Sequence, residues 1–317
     1  MLPDDQVATV IPAQGVAAEA ELARAVEWTR ELKRRTRDCA DLTEVRAVTG
    51  RMMATRLGEG PPAGVRIAQA AFGGVPAEVV TADGAPPAGP VLLHLHGGGF
   101  MLGAPPDDRL FLSGVATGIR GRTVSVDYRL APENPYPAAV DDGVAVYEAL
   151  LRSGVDPNSL VVSGESAGGG LALLCLQRAH RIGLPRPAGL VLLSPLADFT
   201  LSGASHETNA EGERFTSREG LARGLASFLA GADAHAVSPL ANDLAGIPPS
   251  LVQAGDTEIL LDDARGVAAG LRSAGVPVAL EIWGGVLHTW HGFPHMTAAQ
   301  RATTHVVRFL RERLGSC

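Results

Sequence analysis

The chain has 317 residues, 46% hydrophobic and 19% charged, with a formal net charge of −7. That is enough for one large α/β domain or two small ones, and no basic cluster stands out beyond Lys33-Arg34-Arg35, so nucleic acid is not expected as a partner. Cys39, Cys175 and Cys317 are too few and too scattered for a disulfide framework or a zinc site. No run approaches the ~18 apolar residues of a membrane span. Met1-Leu2-Pro3-Asp4-Asp5 is acidic where a signal peptide needs basic residues, so a cytoplasmic protein is expected.

Ala17 to Arg37 has high helix propensity, with Leu22, Val26 and Leu32 as a candidate buried stripe, and a second helix is predicted from Leu42 to Leu57. Gly58 to Gly64, with two prolines, reads as a linker. Val65 to Val80 suggests strands, Asp83-Gly84 a turn, and Ala85 to Pro90 a loop.

From Val91 onward short apolar runs alternate with helical ones. Strands are predicted at Val91 to Leu95, Thr123 to Val126, Leu160 to Ser163, Gly189 to Leu193, Ser250 to Ala254 and Val278 to Ile282. Helices are predicted at Asp107 to Gly118, Pro137 to Ser153, Ser166 to Arg181, Glu258 to Ala274 and Thr297 to Leu314. Continuous apolar strands separated by helices indicate a mostly parallel sheet covered on both faces, hence the α/β class. The rhythm breaks after Leu193. An insertion there would lie over the carboxyl ends of the strands, where open α/β sheets bind ligands. The expected organisation is a helical cap segment over residues 1–58 and a catalytic domain over 59–317, with a cap insertion at about 194–239.

Gly164-Glu165-Ser166-Ala167-Gly168 matches G-x-S-x-G, a nucleophile elbow between strand and helix. The glycines leave room for a sharp turn, and the helix N-terminus beyond favours developing negative charge. Directly after the strand Val91 to Leu95 comes His96-Gly97-Gly98-Gly99. Consecutive glycines leave backbone N–H groups uncovered, as an oxyanion hole requires; Gly97 and Gly98 supply two and Ala167 a third. A serine also needs a base and an orienting acid. Asp256 follows the strand Ser250 to Ala254; Asp262 and Asp263 lie further on, where a solvated helix face is the plain reading. His288 follows the last strand, with His291 and His295 as rivals.

Together His96-Gly97-Gly98-Gly99-Phe100, Asp127-Tyr128-Arg129-Leu130-Ala131-Pro132-Glu133, Gly164 to Gly169, Gly255-Asp256 through Asp262-Asp263, and Leu287-His288 resemble the hormone-sensitive-lipase family of α/β-hydrolases, particularly its bacterial esterases. The resemblance runs from about residue 91 to 291. It implies an α/β-hydrolase fold with a helical cap, Ser166 as nucleophile, Asp256 as acid and His288 as base, with Gly97, Gly98 and Ala167 donating to the oxyanion. Arg129 and Glu133 are expected to brace loops near the site. Two departures are visible: Glu165 stands where the family often has Asp or Thr, and Thr257 where many relatives have Pro.

The expected activity is hydrolysis of short- to medium-chain carboxylic esters, lactones among them, through an acyl-enzyme, with no metal or organic cofactor. Phe100, Met101, Phe199, Leu201, Phe215 and Trp290 are candidates for an apolar pocket. The alternative is an amidase or acyltransferase with the same triad, and a more distant one a non-catalytic small-molecule binder on this fold. Relatives that dimerise through the edge near the last strand suggest a homodimer through Val278 to Ile282.

Overall fold

The alternating apolar runs form one nine-stranded sheet in the computed structural model, which describes residues 8–12, 15–57 and 62–315. Cys317, the first residues of the chain and 58–61 of the expected linker lie outside the described residues. The strands are β1 (Ala8–Ile11), β2 (Val65–Phe72), β3 (Val75–Ala82), β4 (Val91–Leu95), β5 (Arg122–Val126), β6 (Leu160–Glu165), β7 (Gly189–Leu193), β8 (Ser250–Gly255) and β9 (Val278–Trp283). Their order is β1-β9-β8-β7-β6-β4-β5-β3-β2. All neighbours are parallel except the β2–β3 hairpin and the β3–β5 pair.

The helices are α1 (Gly15–Arg37), α2 (Leu42–Leu57), α3 (Arg109–Ile119), α4 (Ala138–Arg152), α5 (Ala167–Arg181), α6 (Ser205–Thr208), α7 (Arg218–Leu229), α8 (Ala234–Val237), α9 (Leu261–Ser273) and α10 (Thr297–Leu314). The period-2 pleat sorts the central strands between two cores. Leu92, Val161, Val191 and Leu251 face Phe111, Val115, Val306 and Leu310 of α3 and α10. Leu93, Val162, Leu192 and Val252 face the other layer, with Leu173 of α5 and Val267 and Leu271 of α9. Every residue of β4, β6, β7 and β8 is buried, which is why these strands read as predominantly apolar runs rather than alternating ones.

One strand departs from expectation. β1 was not predicted; four residues with one buried side chain carry too weak a pattern. It pairs in parallel with β9, register Ala8 to Leu280. The β9 edge is therefore paired within the chain, to β1. Among the described residues no helix is long and apolar enough to cross a membrane.

The segment after β7 holds α6, α7 and α8 and, among the described residues, no strand. Two carboxylates of α9 anchor its first part. Asp263 is not on a solvated helix face as expected: it is buried, and its Oδ2 accepts from the N–H groups of Ala197 (2.7 Å) and Asp198 (2.8 Å). Asp262 accepts from the Ser205 N–H, and the Ser205 hydroxyl donates to the Ile259 carbonyl. Burial pushes the Asp263 carboxyl up to about 7. Asp263→Ala would strand two buried N–H groups, each worth about 1–3 kcal/mol when unpaired. A fall in Tm of roughly 5 °C or more is expected by calorimetry, with a smaller fall for Asp263→Asn, whose amide oxygen still accepts.

Candidate active site

Ser166 sits between β6 and α5 with φ 51° and ψ −120°, a backbone conformation that L residues rarely adopt. The turn closes because two residues lack side chains. A Cβ on Gly164 would lie 2.1 Å from the Gly168 carbonyl oxygen, and one on Gly168 would lie 2.1 Å from the Leu95 carbonyl oxygen. The Ser166 N–H donates to Leu193 O (2.9 Å), and its carbonyl accepts from Gly169 and Leu196. These bonds lock the elbow to β7 and to the loop beyond it.

His288 Nε2 lies 2.9 Å from Ser166 Oγ, and its Nδ1 lies 2.6 Å from Glu258 Oε2. All three side chains are buried. The orienting carboxylate is thus Glu258 and not Asp256, which corrects the sequence expectation. The backbone explains the difference. The Asp256 N–H still continues the ladder to Trp283 O (2.9 Å), but its side chain is exposed and accepts from the Gly285 N–H at 3.1 Å. The chain then turns, and the longer Glu258 side chain folds back over Gly255. Its Oε1 accepts from the Gly255 N–H (2.5 Å) and the Ser194 hydroxyl (2.7 Å). Gly255 makes the space, since a Cβ there would stand 3.0 Å from Glu258 Oε1. Asp256 and Thr257 hold the histidine loop instead, Thr257 through its hydroxyl to Val286 O.

The rival histidines are occupied elsewhere. His291 is buried with Nε2 2.9 Å from Gln253 Oε1, and burial depresses it to about 3. His295 Nε2 donates to the Glu21 carbonyl on α1. Burial alone would lower the basicity of His288, but the charge of Glu258 and its hydrogen bond outweigh that, and the imidazole is held above its ordinary value.

The glycine loop after β4 is set by two stacked rings. Tyr128 donates its hydroxyl to the His96 carbonyl (2.8 Å), and His96 Nδ1 lies 2.8 Å from the Gly97 carbonyl. A carbonyl only accepts, so Nδ1 carries the proton. In a trans peptide the N–H points opposite to the C=O. Holding these two carbonyls therefore aims the N–H groups of Gly97 and Gly98 the other way. His96 and Tyr128 lie parallel, centroids 4.2 Å apart, and burial lowers the His96 pKa to about 4, so the ring stays neutral. Gly97 borders Ser166, its missing Cβ 3.5 Å from Ser166 Cβ. Ala167 opens α5, so its N–H is among those a helix leaves without an internal partner.

Ser166, His288, Gly97 and Gly98 line a cavity of about 480 Å³. Its walls include Leu32, Lys33 and Thr36 of α1, Val45, Thr49 and Met53 of α2, and Leu221 and Arg223 of α7. Of the expected pocket residues, Met101 and Phe215 line it. Phe100, Phe199, Leu201 and Trp290 do not; they are buried in the cores. Phe100 stacks on Phe228 at 4.0 Å and meets Phe199 edge to face, while Trp290 packs on His291. Arg129 is bound bidentately by Asp142, and Glu133 by Arg46 of α2, a cross-link that the sequence carries no local signal for.

A family model for the α/β-hydrolase fold matches residues 92–292. The chain belongs to the α/β-hydrolases. Within them it resembles an acetyl-hydrolase of Streptomyces hygroscopicus, 39% identical over 277 residues, covering 82% of this chain and 93% of that protein. A carboxylesterase of Mycobacterium tuberculosis is 33% identical, covering 71% of this chain and 74% of the relative. A crystal structure of an esterase from the bacterial hormone-sensitive lipase family superposes with a TM-score of 0.89 at 36% identity, covering 93% of this chain and 98% of the other. This α/β-hydrolase is accordingly a member of the hormone-sensitive-lipase family.

Glu258→Gln is expected to lower kcat by roughly 10³–10⁴-fold, because a neutral amide neither fixes the tautomer nor stabilises the imidazolium. Asp256→Asn should stay within about fivefold of wild type, its partner being only the Gly285 N–H. A base must be neutral to act, so a raised His288 places the acid limb of kcat/KM above pH ~6.5. Residual activity of Glu258→Gln should show that limb moved to lower pH. Steady-state pH profiles of both variants check this.

Proposed function

We propose that the protein is a serine carboxylesterase acting on soluble short- to medium-chain esters through an acyl-enzyme. The observation that carries the reading is the continuous line Ser166–His288–Glu258 at 2.9 and 2.6 Å, at the floor of a cavity beside the glycine loop. Ser166 Oγ attacks the ester carbonyl while His288 Nε2 takes its proton. Glu258, held by Gly255 and Ser194, keeps the Nδ1 proton in place and faces the imidazolium. The tetrahedral oxyanion is received by the N–H groups of Gly97, Gly98 and Ala167. His288 then returns the proton to the leaving alcohol, activates water by the same nitrogen, and the acid is released.

The helices α1, α2 and α7 act as the cap over this cavity, and Leu32, Val45, Met53 and Leu221 give it an apolar wall. A finite wall of this kind limits chain length: kcat/KM should peak at about four to eight acyl carbons, each added methylene gaining until the wall is reached. A panel of p-nitrophenyl esters measures the optimum; preference for long-chain triglyceride emulsions would overturn the size reading. Parallel assays with anilides, and with an added alcohol acceptor, separate ester hydrolysis from amidase and acyltransferase activity.

Ser166→Ala should abolish turnover beyond the residual catalysis of binding and the oxyanion donors, with circular dichroism unchanged. A folded variant with near-normal kcat would remove the serine mechanism.

A further inference from the structure

Arg46, on α2, reaches across to the segments after β4 and β5 and makes four hydrogen bonds there. Its Nε donates to the Met101 carbonyl (2.8 Å), and one terminal nitrogen donates to the Ala131 carbonyl (2.8 Å). The two terminal nitrogens also clasp Glu133 at 2.7 and 2.8 Å. Glu133 is half-exposed, and the hydrogen bond from Arg46 lowers its carboxyl pKa to about 2. The segments gripped are already laced together, because Ala131 N–H donates to Phe100 O (3.0 Å). Met101 itself lines the cavity, three residues after Gly98. On α2, Val45 and Thr49 flank Arg46 and face the same cavity, with Leu42 and Met53 one turn further out. One guanidinium thus spans a cap helix, the end of the oxyanion loop and the Tyr128 to Glu133 segment.

We infer that Arg46 is a positioning residue that clamps α2 over the cavity and thereby fixes the wall against which longer substrates bind. Other side-chain hydrogen bonds of α2 stay within the N-terminal segment, Thr55 with Trp28 of α1 and with the Met52 carbonyl, and Glu44 with the Ala40 N–H. The fork geometry matters: a planar guanidinium serves two carbonyls and a carboxylate at once, which an ammonium does not. The oxyanion loop has its own support, since Gly98 O accepts from Met101 and Leu102 and the His96 and Gly97 carbonyls are held by Tyr128 and His96. Loss of the clamp therefore falls on binding of substrates that touch α2 rather than on the chemical step.

The kinetic part of this inference rests on the esterase reading; the structural part does not. Arg46→Met keeps the apolar stem and removes every donor. It is expected to raise amide hydrogen exchange across Leu42–Leu57 at least about tenfold. KM for p-nitrophenyl hexanoate should rise about five- to twentyfold with kcat within about threefold, and KM for p-nitrophenyl acetate should change less than about twofold. Glu133→Gln keeps both carbonyl bonds and should give a smaller shift of the same kind, with Arg46→Lys between the two. If Arg46→Met fails to fold, the last two variants must still show that chain-length-selective rise. Unchanged α2 exchange in a folded Arg46→Met, or a rise in KM equal for acetate and hexanoate, would overturn the clamp. If the wild type hydrolyses no ester, the esterase reading fails while α2 exchange still decides whether Arg46 holds the helix.

Discussion

The Glu258 carboxylate is the junction on which the site depends. It accepts from Gly255 at the end of β8, from Ser194 just after β7, and from His288 in the loop after β9. Three neighbouring strand ends are thereby tied through one buried anion. A buried carboxylate is tolerated only when hydrogen bonds and a nearby positive charge replace its hydration. Here two fixed donors meet that demand permanently, and the third position is the imidazole. The same bonds that make the charge tolerable direct the histidine at Ser166.

Strain at the nucleophile and order around it arise from the sheet. Ser166 holds a conformation worth of order 1–3 kcal/mol of strain, and it persists because β4 and β7 flank β6 on both sides. Leu95 and Leu193 contribute carbonyls that leave no room for a relaxed turn. The oxyanion loop follows the same logic one strand away. Its carbonyls are held by Tyr128 and His96, so its N–H groups need no rearrangement when charge develops.

The cap is a separate problem in physics. α1 and α2 cover the site from the N-terminal side and α7 from the insertion after β7. Gly224 of α7 packs so closely that a Cβ there would meet the Gly99 carbonyl oxygen at 2.6 Å. Thr29 and Lys33 of α1 both donate to the Arg214 carbonyl, joining α1 to the segment after β7. Such contacts between distant stretches define the cavity's shape.

The sequence by itself determined the sheet core and the chemistry that depends on local backbone. Predominantly apolar runs are dictated by burial on both faces, so β4, β6, β7 and β8 were legible. Glycine spacing around Ser166 and in His96 to Gly99 records steric needs met within a few residues, and it announces an elbow and an oxyanion loop directly. Position after the last strand marked the cluster of His288, His291 and His295, and the family resemblance pointed to His288 within it. Only the tertiary structure decided which acid serves it. Asp256 and Glu258 differ by two residues, and the choice turns on a turn after Gly255 that brings the longer side chain back over the end of β8. It likewise sent Phe100, Phe199, Leu201 and Trp290 into the cores while leaving Met101 and Phe215 at the cavity, because an apolar side chain looks the same in sequence whether it fills a core or lines a pocket. The pairing of β1 with β9 and the reach of Arg46 to Glu133 join residues that are remote in the chain, and no local pattern encodes a contact whose partner is defined only once the sheet has formed.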